Sequence, residues 1–247
     1  MLKKERRRDV AEFFLFIILV CSVILSLWLY SGQPFPRSSP LAVVESGSMT
    51  HDQSFFGRIG TIDPGDIIIV KKSDIIRTRA EEENSGGAKR YGDWGDVVVY
   101  YPNGDELATP IIHRVCCWVE VNDNRYTVDS LGIRNESEIT IPELGLYRYR
   151  PNHEGFITKG DNNLFSDQSC SICYQPVKQE WIVGKARGEL PWIGLLKLLI
   201  WGHPIYSPEG WIRIGKASAP LDQWICFFLF FSAIVGVPLY LDGFRRK

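Results

Sequence analysis

Gly95-Asp96-Val97-Val98-Val99-Tyr100 is a Gly-Asp turn running into an unbroken series of β-branched residues, and Gly65-Asp66-Ile67-Ile68-Ile69-Val70 uses the same device upstream. Branched side chains restrict χ1 and fit a pleated surface, so such runs read as strands. Thr109 to Glu120 and Glu180 to Lys185 have the same character. From Ser38 to Glu189 no helical period is sustained, and the connections are rich in Gly, Asn, Asp and Pro. The region between is therefore expected to be mostly β. The two Gly-Asp strands are too short to count as an internal repeat.

Apolar segments flank this region. Val10 to Tyr30 carries one charge, Glu12, and about 20 such residues cross a bilayer core. Lys3, Lys4, Arg6, Arg7 and Arg8 precede it, and Arg37 is the first basic residue after it. That asymmetry places the N-terminus in the cytoplasm. The segment exceeds the roughly 7–15 apolar residues of a secretory signal and no A-x-A pattern follows, so an uncleaved anchor is expected. Trp224 to Leu241 forms a second apolar run with Arg245, Arg246 and Lys247 beyond it, which puts that end in the cytoplasm as well. Leu190 to Trp201 is too short to span and contains Lys197; it is expected on the bilayer surface or against the domain, with Trp192 and Trp201 at the interface.

The expected organisation is a basic segment over 1–9, a span over 10–30, a β-rich domain over 31–223, a second span over 224–241 and a tail over 242–247. Within the domain, Lys72 to Trp94 reads as a mobile charged loop. Val121 to Glu154 reads as an inserted loop bearing the glycosylation sequon Asn135-Glu136-Ser137. The 247 residues carry a net charge of −1, which gives no basic field for nucleic acid.

Three strings carry the chemistry: Ser46-Gly47-Ser48-Met49, Ile112-His113-Arg114, and Gly160-Asp161-Asn162-Asn163 closing on Asp167. A hydroxyl, an imidazole and carboxylates are the parts of a serine hydrolase in any chain order. Ser48 lies about 18 residues past the first apolar segment, at most about 60 Å of extended chain, so it is tethered near a membrane. Serine needs a base within hydrogen-bond reach. His51 is too near in sequence to fold back readily, His153 ends the inserted loop and His203 lies beyond the interfacial segment. His113 sits in a strand that can aim it. A Ser-Lys dyad through Lys71, Lys72 or Lys89 is the weaker alternative, since a lysine base must be desolvated. An imidazole base predicts activity that rises with pH through the ordinary histidine range, about 6.5.

Only one of Asp161 and Asp167 need touch the imidazole; a loop built on Asx-turns accounts equally for the Gly-Asp-Asn-Asn composition. Cys21 and Cys226 fall in the spans. Cys116, Cys117, Cys170 and Cys173 offer a zinc site or, better suited to an outside location, disulfides. Along an even strand Val115 and Cys117 share a face with His113. At least one disulfide from Cys116 or Cys117 to Cys170 or Cys173 is expected, tying the His113 strand to the Asp167 loop.

Three such strings in this order behind an anchor resemble membrane-bound signal peptidase I of the archaeal and endoplasmic-reticulum type. Ser48-Met49 is similar to that family's nucleophile box. His113-Arg114 is similar to the box where bacterial relatives place lysine and this type places histidine. Thr158-Lys159-Gly160-Asp161-Asn162-Asn163 with Asp167 resembles its acidic box. The matched boxes run from Leu41 to Gly194. One departure is His51, where the family often has proline.

The resemblance implies a membrane serine endopeptidase that removes signal peptides from exported preproteins. It implies Ser48 as nucleophile, His113 as base, Asp167 as the triad acid and Asp161 as a supporting residue. The backbone N–H of Ser48 and the hydroxyl of Ser46 would serve the oxyanion. No cofactor and no metal is implied. The partners would be preprotein signal peptides, the lipid bilayer and companions in the secretion machinery. The substrate would add as a strand beside the residues leading into Ser48, and the protein would sit in the cell membrane with both termini cytoplasmic. Two readings compete: a catalytically inactive membrane-anchored β module, and a zinc-binding domain using His113 and the cysteines.

Overall fold

Each Gly-Asp turn launches a strand for a local reason visible in the computed structural model, which describes residues 2–34, 38–51, 54–170, 172–202 and 210–245. Gly65 and Gly95 take φ of 94° and 83°, left-handed values that a side chain resists. The aspartates that follow fold back on the chain: Asp66 accepts the N–H of Asp63 at 2.8 Å and Asp96 that of Arg77 at 2.9 Å. The strands so started are β2 (Ile67–Lys71) and β3 (Val97–Tyr100).

They belong to an eight-stranded sheet together with β1 (Leu41–Val43), β4 (Ile111–Asn122), β5 (Arg125–Val128), β6 (Ile133–Glu136), β9 (Gly155–Lys159) and β10 (Ile182–Leu190). The order is β1-β2-β10-β3-β4-β5-β6, with β9 also pairing with β4, and every pairing is antiparallel. β1 is an edge. β3 is apolar throughout because both its faces are covered: Val97 packs with Val44, Met49, Ile62 and Ile68, and Val98 and Tyr100 pack with Val115, Phe156 and Val177. Asp96 is tied to the neighbouring strand by Lys185 Nζ at 2.8 Å and Arg187 Nη2 at 2.9 Å.

The segment 121–154 is not a loop. It forms β5 and β6 and a hairpin of β7 (Ile139–Ile141) and β8 (Leu146–Tyr149). Tyr126, Val128, Ile139, Ile141 and Leu146 bury one face against Cys117, Val119 and Ile157 of β4 and β9. Asn135 is exposed on β6. The segment 72–94 is also ordered. It contains α2 (Arg79–Asn84), whose N-terminus carries a capping box between Thr78 and Glu81. The Glu82 carboxylate accepts the N–H of Gly95 at 2.8 Å, and the Trp94 indole donates to Gly87 O.

The expected disulfide does not form: all six cysteines are free. A bulge between Val115 and Cys117, where β4 meets β9, breaks the even alternation. Val115 faces the Tyr100 cluster that contains Cys173, whereas Cys117 is turned to the cluster of Val119 and Ile157. Cys170 is exposed. Burial pushes the Cys116 thiol up to about 12 and the Cys117 thiol well above its ordinary value, and a thiol held protonated does not alkylate. Iodoacetamide at pH 8 is therefore expected to leave Cys116 and Cys117 unmodified in the folded protein and to label both after denaturation; mass spectrometry reads the difference, and labelling of both in the native state would refute the packing.

Helices close the two ends. α1 (Leu2–Ser31) extends the expected 10–30 segment toward the N-terminus, and its apolar side chains from Val10 to Leu25 are exposed. α4 (Leu221–Arg245) begins before the expected Trp224. By length and composition, Val10–Ser31 and Leu221–Pro238 can each cross a membrane. Leu190 belongs to β10, and α3 (Leu195–Trp201) buries Leu195 and Leu198 against Ala217 and Ala219 of the hairpin β11 (Ile212–Ile214) and β12 (Ala217–Ala219) and against Trp224 and Phe227 of α4. The other side of α3 exposes Leu196, Ile200 and Trp201. The Trp192 indole donates to Gly57 O at 2.7 Å. The first turn of α4 is pinned to the same loop, because the Gly57 N–H and Arg58 Nε both reach the Asp222 carboxylate. His203, Arg37, Arg246 and Lys247 lie outside the described residues.

Candidate active site

Three elements meet at the end of β9. β4 delivers His113, flanked by Val98 of β3 in register. The chain leaving β1 turns through Ser46, Gly47 and Ser48, closed by the Thr50 N–H and hydroxyl on Gly47 O. The loop after β9 carries Asp161 and Asp167. Gly160 is required by the close approach of all three, since a Cβ there would lie 2.6 Å from Ser48 O and 2.9 Å from His113 Nε2.

The sequence-predicted residues are brought together. His113 Nε2 is 2.9 Å from Ser48 Oγ, and Nδ1 is 2.8 Å from both oxygens of Asp167. Asp167 is fully buried and is held by two further donors, the hydroxyls of Tyr100 and Thr158, each 2.7 Å from Oδ2. Its backbone is fixed too: its N–H reaches Thr158 O, and its carbonyl accepts from Cys170 and Cys173. Burial, with the Asp167 charge adding to it, pushes the Tyr100 phenol far above its usual value, so it remains a donor. A carboxylate that accepts from Nδ1 leaves Nε2 as an acceptor for the serine proton. The Ser46 hydroxyl lies 3.2 Å from Ser48 Oγ.

The other candidate bases are engaged elsewhere. Lys71 lies over the Tyr30 ring and Lys89 over Trp94. His153 stacks edge-on against Trp181. The zinc reading fails on geometry, because both nitrogens of His113 are taken and Cys117 and Cys173 lie in different core clusters.

Asp161 does not touch His113. Its carboxylate binds Arg114, with Nε 2.8 Å from Oδ1 and Nη2 2.6 Å from Oδ2, and His51 Nε2 at 2.9 Å. Burial opposes its charge, yet the hydrogen bonds from His51 and Arg114 outweigh this and hold it below the usual carboxylate range. The guanidinium is fully buried and also donates to the carbonyls of Arg90, Tyr91, Asp93, Trp94 and Gly95. Sequence reasoning missed Tyr100, Thr158, Arg114 and His51. The one available signal was the position of Arg114 beside His113 in a strand, where a buried charge demands a partner.

A groove of about 630 Å³ leads to Ser48. Leu41, Val43, Ile67, Val99 and Ile112 give it an apolar wall, and it ends on Ser46, Ser48 and His113.

No family model matches the chain, but curated relatives do. The signal peptidase complex catalytic subunit sec11 of Aspergillus clavatus is 30% identical over 201 residues, covering 80% of this chain and 83% of that protein. The chain belongs to the family of signal peptidase complex catalytic subunits. The subunit of Schizophyllum commune is 29% identical over 198 residues, covering 78% of this chain and 82% of its own. That of Talaromyces marneffei is 28% identical over 200 residues, with 80% and 84% covered. Membership of this signal peptidase family makes the chain a serine endopeptidase, and shared length on both sides means the similarity extends over the β body rather than one box.

Proposed function

We propose that this protein removes N-terminal signal peptides from preproteins, with Ser48 as nucleophile, His113 as general base and Asp167 holding the imidazole in the productive tautomer. The observation that carries it is the unbroken hydrogen-bonded chain from Ser48 Oγ through His113 to buried Asp167 at the end of an apolar groove. Ser48 Oγ attacks the scissile carbonyl as Nε2 takes its proton, and the imidazolium so formed is stabilised by Asp167 before it protonates the leaving amine. Ser46 Oγ and the Ser48 N–H are the proposed donors to the oxyanion. The edge position of β1 beside the groove supports a substrate bound as an added strand.

In this reading α1 and α4 cross the membrane across which the preproteins are exported, both termini are cytoplasmic and the β body stands on the far side. Basic residues outside both apolar segments support that orientation. The exposed Leu196, Ile200 and Trp201 of α3 support a body seated on the bilayer. The relatives are subunits of a signal peptidase complex by name, and we propose that this chain also works with companion subunits. Incubation of the detergent-purified full chain with a preprotein tests the assignment: cleavage at the signal-peptide junction, lost in Ser48→Ala, is expected, and equal cleavage by Ser48→Ala would overturn it.

Tyr100→Phe removes one of the three donors to Asp167 and leaves Thr158 in place. Loss of one charge-assisted bond is expected to lower kcat about tenfold with KM little changed. A variant with wild-type kcat would show that Thr158 alone suffices.

A further inference from the structure

The triad makes no use of His51, yet this side chain closes a ring of contacts around the nucleophile. The loop after β9 grips the serine turn at several points. Asn162 N–H donates to Ser48 O at 2.8 Å, and Asn162 Nδ2 reaches Gly47 O at 3.1 Å and Thr50 Oγ1 at 3.0 Å. His51 adds a charged link from the far end of the turn, Nε2 to Asp161 Oδ2 at 2.9 Å. Asp161 in turn is bound by Arg114, the neighbour of His113 in β4. The path from His113 through Arg114, Asp161 and His51 therefore returns to the serine turn. The imidazole is wedged in place, because a Cβ on Gly92 would lie 2.8 Å from its Cε1.

We propose that His51 is a positioning residue: paired with Asp161, it locks the acidic loop and the nucleophile turn into one frame, and Ser48 stays aligned on His113 while that pair is charged. The proposal rests on the functional reading above. It gives the enzyme an alkaline limit separate from the base.

The groups facing His51 are Asp161 from the loop after β9, Arg114 from β4 and Asp63 from the turn before β2. The hydrogen bond to Asp161 raises its pKa against the opposing effect of burial, while the Arg114 charge lowers it and that of Asp63 raises it. A raised value in the folded state means that the charged pair is fully present below the ordinary histidine pKa, about 6.5, and is lost as pH rises through the folded value. The triad imidazole acts in the opposite sense, since it must be unprotonated to accept the serine proton. Wild-type kcat is accordingly expected to fall on the alkaline side.

The test is the kcat profile against pH of the detergent-purified full chain, as wild type, His51→Ala and His51→Gln. Glutamine keeps a neutral donor toward Asp161 that does not titrate. His51→Ala is expected to lose about tenfold in kcat near neutral pH, the scale of one charge-assisted hydrogen bond, with KM little changed. His51→Gln is expected to be intermediate and to lack the alkaline decline. Wild-type kcat in His51→Ala, or an unchanged alkaline decline in His51→Gln, would overturn the proposal. NMR titration of the histidine ring protons reads the pair without substrate: the His51 midpoint should lie above the ordinary value and fall in Asp161→Asn. Absence of that drop sinks the His51 proposal, whereas failure of the wild type to cut preprotein with the midpoint raised sinks only the functional reading.

Discussion

Asp167→Asn is expected to lower kcat by about 10⁴ while leaving a folded protein, the loss seen when the equivalent change is made in a serine-protease triad. The geometry says why the loss falls on chemistry. Oδ2 of Asp167 accepts the hydroxyls of Tyr100 and Thr158, each at 2.7 Å. An asparagine in the same rotamer keeps its carbonyl oxygen on those two donors, so its amide nitrogen takes the place of Oδ1. That nitrogen is a donor, and it meets His113 Nδ1 at the 2.8 Å spacing. The retained oxygen also lies 2.8 Å from Nδ1 but already serves two hydroxyls, so the tautomer favoured is the one in which Nδ1 accepts from the amide and the ring proton sits on Nε2, facing Ser48 Oγ. The base is left with no lone pair for the serine proton. Because both hydroxyl bonds survive, the melting temperature should change little. Preprotein cleavage under single-turnover conditions together with a thermal melt decides the matter. A kcat within tenfold of wild type would show that the His113 tautomer does not limit the reaction.

The strands and the triad were legible in the sequence for the same reason: each was declared by contiguous residues. Val97 to Tyr100 and Ile67 to Val70 are unbroken β-branched or aromatic runs, and His113 stands in a strand of that kind. Features that depend on pairing between distant segments were not legible. Tyr126-Thr127-Val128 and Ile139-Thr140-Ile141 alternate as strands do, but they are shorter than the usual strand and each relies on β4 and β9 for burial. Surrounded by Gly, Asn and Asp, they read as loop. The bulge at Val115–Cys117 arises where β4 meets β9, and Cys117 lies in a different cluster from Cys173. α2 did advertise itself through Thr78-x-x-Glu81. The two aspartates could not be told apart by composition: the difference between them is that one faces an imidazole and the other a buried guanidinium.

That guanidinium sets the largest expected effect on stability. Arg114 is fully buried and bonds to five backbone carbonyls between Arg90 and Gly95 besides Asp161, so it cannot turn out to solvent when its partner is changed. Asp161→Ala leaves its charge uncompensated in a site of low dielectric. Breaking a buried pair in this way costs about 3–5 kcal/mol, which for a domain of this size is a fall in melting temperature of about 6–20 °C. Asp161→Asn keeps one acceptor oxygen and should fall between Asp161→Ala and wild type. The dependence on pH has a definite sign. The carboxyl is held below its usual range in the folded protein, so the stability it contributes is complete above the unfolded value, about 3.9, and is lost as pH falls through the depressed folded value. The gap in melting temperature between wild type and Asp161→Asn should therefore widen from neutral pH as His51 takes up its proton beside Asp161, hold level near about pH 5 and close at more acidic pH. Thermal unfolding of the two proteins in the same detergent across that range measures it. A gap that is absent at neutral pH, or that goes on widening below about pH 5, would mean that Arg114 is held by the carbonyls of the 90–95 loop and has no need of Asp161.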